Sequence, residues 1–357
     1  CQHCEDRPED TVEHTVEVCL AWAEHRRVLV EAIGGDDLSR PALVKSMKEH
    51  GWVLVSKSLT RYQDTNVIDN QRALPRLQKN VYKSFRVDKA AQEILSIKNL
   101  NKHYKFFMYV GGYRSSIKSK AAELMKKALR NINYSYLIIV DHSKYTHSRD
   151  GYIKSYKRSV EHVPNIGKKL AEMLAGLKAG GVAPKHFHGI GHSLGSQILG
   201  HVGENFIKLT GHKISRITAL DPAGPCFEKK TEHVRSGLAN HVEIYHCNAR
   251  ILGSELTVGD VDFFANNGKS QPQSVAATKC SHSTCVKLWT ATVEHRHWYP
   301  AYMCRRYKDF ERGQCDFNIK TTAGFWNPGT ATGIFFFSTK DIQQFKTKNI
   351  PSKPLKH

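Results

Sequence analysis

The sequence predicts a mainly parallel α/β fold in which helices cover both faces of the central sheet, and three observations carry that expectation. Residues 106–110 (FFMYV) and 136–140 (YLIIV) are apolar throughout, and 187–190 (FHGI) nearly so; strands buried on both faces read this way, whereas half-exposed strands alternate. The stretches between them repeat their apolar residues at helical spacing. The run at 187–190 then passes straight into Gly191-His192-Ser193-Leu194-Gly195, after which Gln197, Ile198, Leu199, Val202 and Phe206 fall at helical spacing. Strand, Gly-x-Ser-x-Gly, helix is the context that a nucleophile elbow requires.

At 357 residues the chain has room for one large domain or two smaller ones. No apolar run approaches the length needed to span a bilayer. The net charge of +20 is uneven: residues 1–50 carry six Lys/Arg and eleven Asp/Glu, a net of −5, which leaves +25 on the remainder. An acidic head on a basic body marks a join. The basic surface suits anionic lipid or nucleic acid, and charge alone does not choose between them.

The head has its own pattern. Cys1, Cys4, His14 and Cys19 form a four-ligand set at zinc spacing, so zinc is the one metal expected of the chain. The wording of residues 1–45 resembles the Cys/His tail that follows the reverse transcriptase of insect non-LTR retrotransposons. That resemblance implies a retroelement-derived segment, about 1–50, joined to an unrelated protein. The chain begins at Cys1 with neither a methionine nor a signal peptide, so its true N-terminus is not visible.

Along the body, residues 52–55 (WVLV) suit a strand, and Ala91, Ile94 and Leu95 suit a helix. The strand at 106–110 ends in Gly111-Gly112-Tyr113, and Ala121, Leu124, Met125, Ala128 and Leu129 then share a helical face. The strand at 136–140 ends in Asp141. Val160, Val163, Ile166, Leu170, Met173, Leu174 and Leu177 give an amphipathic helix, stopped by Gly180-Gly181 and Pro184. The elbow strand and helix follow, then a strand at 214–220.

A Gly-x-Ser-x-Gly run is common by chance, so partners for Ser193 decide its meaning. A serine hydroxyl is a weak nucleophile unless a histidine takes its proton and a carboxylate orients that histidine. Asp221 ends the next strand and therefore shares the sheet edge of Ser193, where ligands bind in such sheets. Asp260 and Asp262 compete from a turn-rich stretch. His282, in CSHSTC ahead of a helix-like run at 286–293, stands in the order Ser, Asp, His of α/β-hydrolases. His241, His246, His295 and His297 stay open by chemistry alone.

GHSLGSQILG, ITALDPAGPCF, DFFANNGKSQP and CSHS occur in this order, with YKFFMYVGGY and YLIIVDH before them and AGFWNPGTATGIFFFST after. Together they resemble the pancreatic lipase family, in its insect lipase and phospholipase A1 branch, across residues 75–342. The resemblance implies an α/β-hydrolase fold over 51–342, with a basic tail at 343–357. It implies a secreted hydrolase of lipid carboxylic esters, working through an acyl-enzyme and without a cofactor. Carried over by position, Ser193 is the nucleophile, Asp221 the orienting acid and His282 the general base. The backbone N–H groups of Leu194 and Tyr113 form the oxyanion hole, and Gly191, His192 and Gly195 complete the elbow.

The chain departs from the family pattern in four places. Gly111-Gly112 stands for the usual His-Gly, and His142 for a Trp. The stretch at 273–279 replaces what is often a much longer lid, and a cysteine that usually opens the lid is replaced near Ser274. Only fifteen residues follow Ile342, so the β-sandwich of the vertebrate pancreatic enzymes is not expected. A short lid without that domain looks like the phospholipase A1 and galactolipase members, which points to polar lipids on an anionic or zwitterionic membrane surface. Cys304 and Cys315 match a family disulfide, while the pairing of Cys226, Cys247, Cys280 and Cys285 stays open. Disulfides and a sequon at Asn133-Tyr134-Ser135 suit an oxidising, extracellular setting. Two other readings stand beside this one. A catalytically inactive lipid-binding or yolk-type member is favoured by the altered oxyanion loop. Nucleic-acid binding through the head lacks any groove-reading module in the body.

Overall fold

The computed structural model describes residues 52–57, 81–146, 152–228, 232–272 and 278–339. The four zinc-ligand candidates, the lid residues 273–277 and the tail 343–357 lie outside them. Among the described residues eleven strands build one sheet: β1 (Trp52–Lys57), β2 (Val81–Arg86), β3 (Lys105–Val110), β4 (Ser135–Asp141), β5 (Phe187–His192), β6 (Ile214–Leu220), β7 (Ala239–His246), β8 (Val261–Ala265), β9 (Pro300–Met303), β10 (Lys320–Thr322) and β11 (Gly333–Phe337). The helices are α1 (Ala90–Leu95), α2 (Lys120–Leu129), α3 (Ser143–Thr146), α4 (Tyr152–Ala179), α5 (Leu194–Thr210), α6 (Thr278–Glu294) and α7 (Tyr307–Glu311).

The strand order is β10-β9-β11-β8-β7-β6-β5-β3-β4-β1-β2. From β4 to β11 every neighbouring pair is parallel. Antiparallel pairs finish both edges. Apolar residues on the central strands divide between two cores. Phe106, Met108 and Val110 of β3 belong to one, and Phe107 and Tyr109 of the same strand belong to the other. On the first side α4 and α5 contribute Val163, Leu170, Leu174, Ile198, Val202 and Phe206. On the second side α2 and α6 contribute Met125, Leu129, Val286 and Trp289. A sheet covered on both faces has no solvated side to make polar, which is why its strands read as unbroken apolar runs. This is the α/β-hydrolase architecture.

The chain reverses direction across the sheet between β3 and β5. After β3 it moves outward to β4, then returns past β3 to β5 and continues the other way through β6, β7 and β8. The carboxyl ends of β3 and β5 thus lie side by side, with Val110 paired to Gly191, and the loops leaving them diverge. Such a switch point opens a crevice for ligands. The loops at 111–113 and at Ser193 leave the sheet there.

Two sequence readings change. Asp262 lies in strand β8 rather than in a turn, and His282 lies inside α6 rather than ahead of it. The strands after β6 are short or carry buried polar residues. Glu243 of β7 is fully buried because Arg216 and Thr218 each donate to its carboxylate at 2.5 Å.

Phe206 anchors the elbow helix to the sheet, with its ring edge-on to Phe187 at 5.9 Å and no solvent exposure. Phe206→Ala is expected to lower stability by about 3–5 kcal/mol in denaturant titration, as loss of a large buried aromatic generally does.

Candidate active site

Strand β5 ends at His192 and α5 begins at Leu194, so Ser193 makes the whole turn alone. It adopts φ 56 and ψ −120, a region that costs a non-glycine residue about 1–3 kcal/mol. Crowding explains the flanking glycines. A Cβ on Gly191 would lie 2.6 Å from the backbone of Ser196, and one on Gly195 would lie 2.5 Å from the carbonyl oxygen of Gly111. Three backbone bonds hold the turn: Ser193 N–H donates to Leu220 at 3.0 Å, and the Ser193 carbonyl accepts from Ser196 at 3.0 Å and Ala223 at 3.1 Å. Because its own N–H is engaged, donors for a ligand beside Ser193 must come from elsewhere. Leu194 is the first residue of α5, where an N–H has no acceptor within the helix.

Asp221 follows the last residue of β6 and is fully buried. Both of its carboxylate oxygens are engaged. Oδ1 accepts from the backbone N–H groups of Cys247 and Asn248 at 2.8 and 2.9 Å, and Oδ2 accepts from His282 Nδ1 at 2.6 Å. A carboxylate in that setting accepts only, so the His282 proton sits on Nδ1 and Nε2 is left as a base. Ser193 and His282 line the same cavity, of about 540 Å³. A hydroxyl, an imidazole and a carboxylate arranged this way can move one proton off the hydroxyl and later return it to a leaving group.

Of the competing residues, His246, Asp262 and Asp260 are engaged elsewhere. His246 uses both ring nitrogens, Nε2 with Asp262 at 2.8 Å and Nδ1 with the Ser254 carbonyl at 3.0 Å. Asp260 accepts from Val242 N–H at 2.7 Å and from the Ser236 hydroxyl. His241 is the third residue of β7, near the amino end of the strand and away from the carboxyl ends where Ser193 and Asp221 lie, and His295 stacks on Trp298.

Several contributors act through contacts that the sequence does not signal. Gly253 packs on the acid so closely that a Cβ there would lie 2.5 Å from Asp221 Oδ1. His192 stands 4.7 Å ring to ring from His282, and its Nε2 donates to the His282 carbonyl at 3.1 Å. Burial, reinforced by the neighbouring His282, lowers the His192 pKa to about 3, so this imidazole stays neutral. A disulfide joins Cys247, beside the N–H that holds Asp221, to Cys285, one helical turn past His282. It therefore ties the carboxylate's backbone cradle to the helix that carries the imidazole. A second disulfide, Cys304–Cys315, closes a loop after β9, and Cys226 is an exposed free thiol.

The loop after β3 forms the facing wall. A Cβ on Gly112 would lie 3.0 Å from the Cβ of Ser193, so this backbone runs directly alongside the serine. Tyr113 reaches back to α4, its hydroxyl 2.8 Å from Ser155 Oγ and its ring edge-on to Tyr156 at 5.3 Å. Tyr156 in turn donates to the Pro225 carbonyl at 3.0 Å. The cavity walls are largely apolar, and Arg114 and Lys157 are the Lys/Arg residues among those lining it. Among the described residues no group of three or more His, Cys, Asp or Glu side chains is placed to hold a metal ion.

A family model described as Lipase matches residues 44–324, beginning ahead of the motifs that start near residue 75. Phospholipase A1 member A of Bos taurus is 35% identical over 174 residues, covering 46% of this chain and 37% of that protein. Phospholipase A1 of Vespa velutina is 32% identical over 195 residues, covering 52% and 64%. Pancreatic lipase-related protein 2 of Bos taurus is 30% identical over 187 residues, covering 45% and 39%. The chain thus spans less than two thirds of the length of these relatives.

On the chain-entropy account, the 38-residue separation bridged by Cys247–Cys285 stabilises the fold by about 4 kcal/mol and the 11-residue one by about 3. Kinetics should separate the two bridges. In Cys247→Ala/Cys285→Ala, any reaction that uses the His282–Asp221 pair is expected to slow about 10- to 100-fold, since small misplacements of reacting groups are that damaging. In Cys304→Ala/Cys315→Ala the folded fraction should turn over at the original rate.

Proposed function

We propose that this chain, which belongs to the lipase family, hydrolyses carboxylic esters of lipids through an acyl-enzyme, with Ser193 as nucleophile, His282 as general base and Asp221 as the orienting acid. The observation that carries this reading is the 2.6 Å contact between His282 Nδ1 and Asp221 Oδ2, in a cavity that also receives Ser193 from its strained turn. Ser193 Oγ attacks the ester carbonyl while His282 Nε2 accepts its proton. The imidazolium gives that proton to the departing alcohol, and water repeats the sequence on the acyl-enzyme. Backbone N–H groups of Leu194 and Tyr113 receive the charge on the carbonyl oxygen, each donor contributing about 3 kcal/mol to the transition state.

Phospholipid is the favoured substrate. Arg114 and Lys157 flank a largely apolar cavity, which suits a phosphate head group beside an acyl chain. Ile153 is 72% exposed next to Lys154 and Lys157, an apolar and cationic pairing that suits an anionic or zwitterionic membrane surface. Two disulfides among the described residues support an extracellular setting. The alternative, a lipid-binding member without activity, draws on the altered loop at Gly111.

Ser193→Ala is expected to lower kcat/KM on phosphatidylcholine and on short-chain esters by at least about 10⁴-fold, the scale of losing a nucleophile. Unchanged hydrolysis would end the enzymatic reading. Turnover of trioleoylglycerol above that of phosphatidylcholine would replace the phospholipase assignment with a triglyceride one.

A further inference from the structure

We propose that His142 is a positioning residue for the loop that faces Ser193, holding the Gly111 carbonyl so that the Gly111–Tyr113 backbone keeps its place beside the serine. This rests on the reading of Ser193 as nucleophile and of Tyr113 as an oxyanion donor.

His142 directly follows β4, whose neighbour is β3, the strand that feeds the loop. It is 2% exposed, and its Nε2 lies 2.8 Å from the Gly111 oxygen. A carbonyl can only accept, so Nε2 carries the proton and Nδ1 is the acceptor. The buried hydroxyl of Thr146 stands 3.2 Å from that Nδ1 and donates to the His142 carbonyl at 3.3 Å, so it packs against the ring while the Gly111 carbonyl alone sets the tautomer. Burial also lowers the pKa of His142, which keeps the ring in this neutral, single-donor form.

The Gly111 carbonyl is confined from its other side as well. A Cβ on Gly195 would lie 2.5 Å from that oxygen, so the carbonyl sits between the imidazole of His142 and the second glycine of the elbow. Position 111 cannot anchor the loop with a side chain of its own, because a Cβ there would lie 2.7 Å from the Cβ of Ser115. The loop must be held from across the sheet edge. The end of β4 supplies both holds: His142 at Gly111, and Asp141, whose Oδ2 accepts from Ile117 N–H at 3.4 Å. The chain thus places an imidazole at 142, across the loop, where the related pattern places one at 111. Fixing the Gly111 carbonyl fixes the plane of the Gly111–Gly112 peptide. That peptide leads to the Tyr113 N–H, and a pre-set donor is worth more in the transition state than one that must reorganise.

The experiment compares His142→Phe, which keeps a ring but removes the donor, with His142→Gln, which keeps an N–H near the ε position. Both are made in the full chain and measured with p-nitrophenyl butyrate and an alkylboronic acid, which forms a tetrahedral adduct on a reactive serine. Rates are normalised to sites titrated with an organophosphate, so loss of folded protein does not count. His142→Phe is expected to lower kcat about 10- to 100-fold with KM within about twofold, the range for a weakened oxyanion donor. Its boronate inhibition constant should rise in parallel, and His142→Gln should recover most of both losses. An unchanged kcat per titrated site in His142→Phe, or His142→Gln as impaired as His142→Phe, overturns the proposal. If Ser193→Ala is inactive while His142→Phe is normal, only the role of His142 falls; if Ser193→Ala is active, the underlying reading falls first.

Discussion

Ser193 sits at φ 56 and ψ −120 because its own helix, the stretch at 220–223 and the β3 loop together leave it no other conformation. The Leu220 carbonyl takes its N–H, the N–H groups of Ser196 and Ala223 donate to its carbonyl, and the β3 loop closes against its side chain. The strain is small beside the packing that imposes it, and it projects the hydroxyl from a rigid platform instead of a mobile loop. The other groups at the site are arranged around that fixed point. Asp221 leaves the adjacent strand, His282 reaches across from α6, and the Gly111–Tyr113 backbone runs alongside. Moving Ser193 would require β3, β5, β6 and α5 to move together.

The same coupling explains why polar residues are tolerated deep in this sheet. Asp221 is satisfied in the interior because two backbone N–H groups and one imidazole N–H donate to it. Buried carboxylates elsewhere are satisfied in the same manner, Glu243 by Arg216 and Thr218, and Asp262 by His246. What separates the site from these structural pairs is one unspent ring nitrogen. His246 uses both of its nitrogens within the protein, whereas His282 spends Nδ1 on Asp221 and lines an open cavity.

Much of this was legible in the residues. β3, β4, β5, α4 and α5 announce themselves because both-face burial demands unbroken apolar strands and packing demands helical periodicity. The Gly-x-Ser-x-Gly turn and Asp221 follow from strand ends on one edge. β7 and β8 were hidden because Glu243, His246 and Asp262 look like loop residues until their partners in other strands are known. His282 could not be told from four other histidines by chemistry alone, since which nitrogen is engaged is a property of three dimensions. Gly253, the Cys247–Cys285 link and His142 act through contacts between segments far apart in sequence. No local pattern encodes these.

The central claim is that Ser193 becomes a nucleophile only through His282 and Asp221. Covalent labelling with a fluorophosphonate tests it directly, since the serine oxygen forms the new P–O bond while fluoride departs. Peptide mapping by mass spectrometry should find one phosphonyl group on Ser193 in the folded chain. It should find that labelling all but abolished in His282→Ala at matched folding. A folded chain labelled at another residue, or labelled at Ser193 equally fast without His282, would contradict the account.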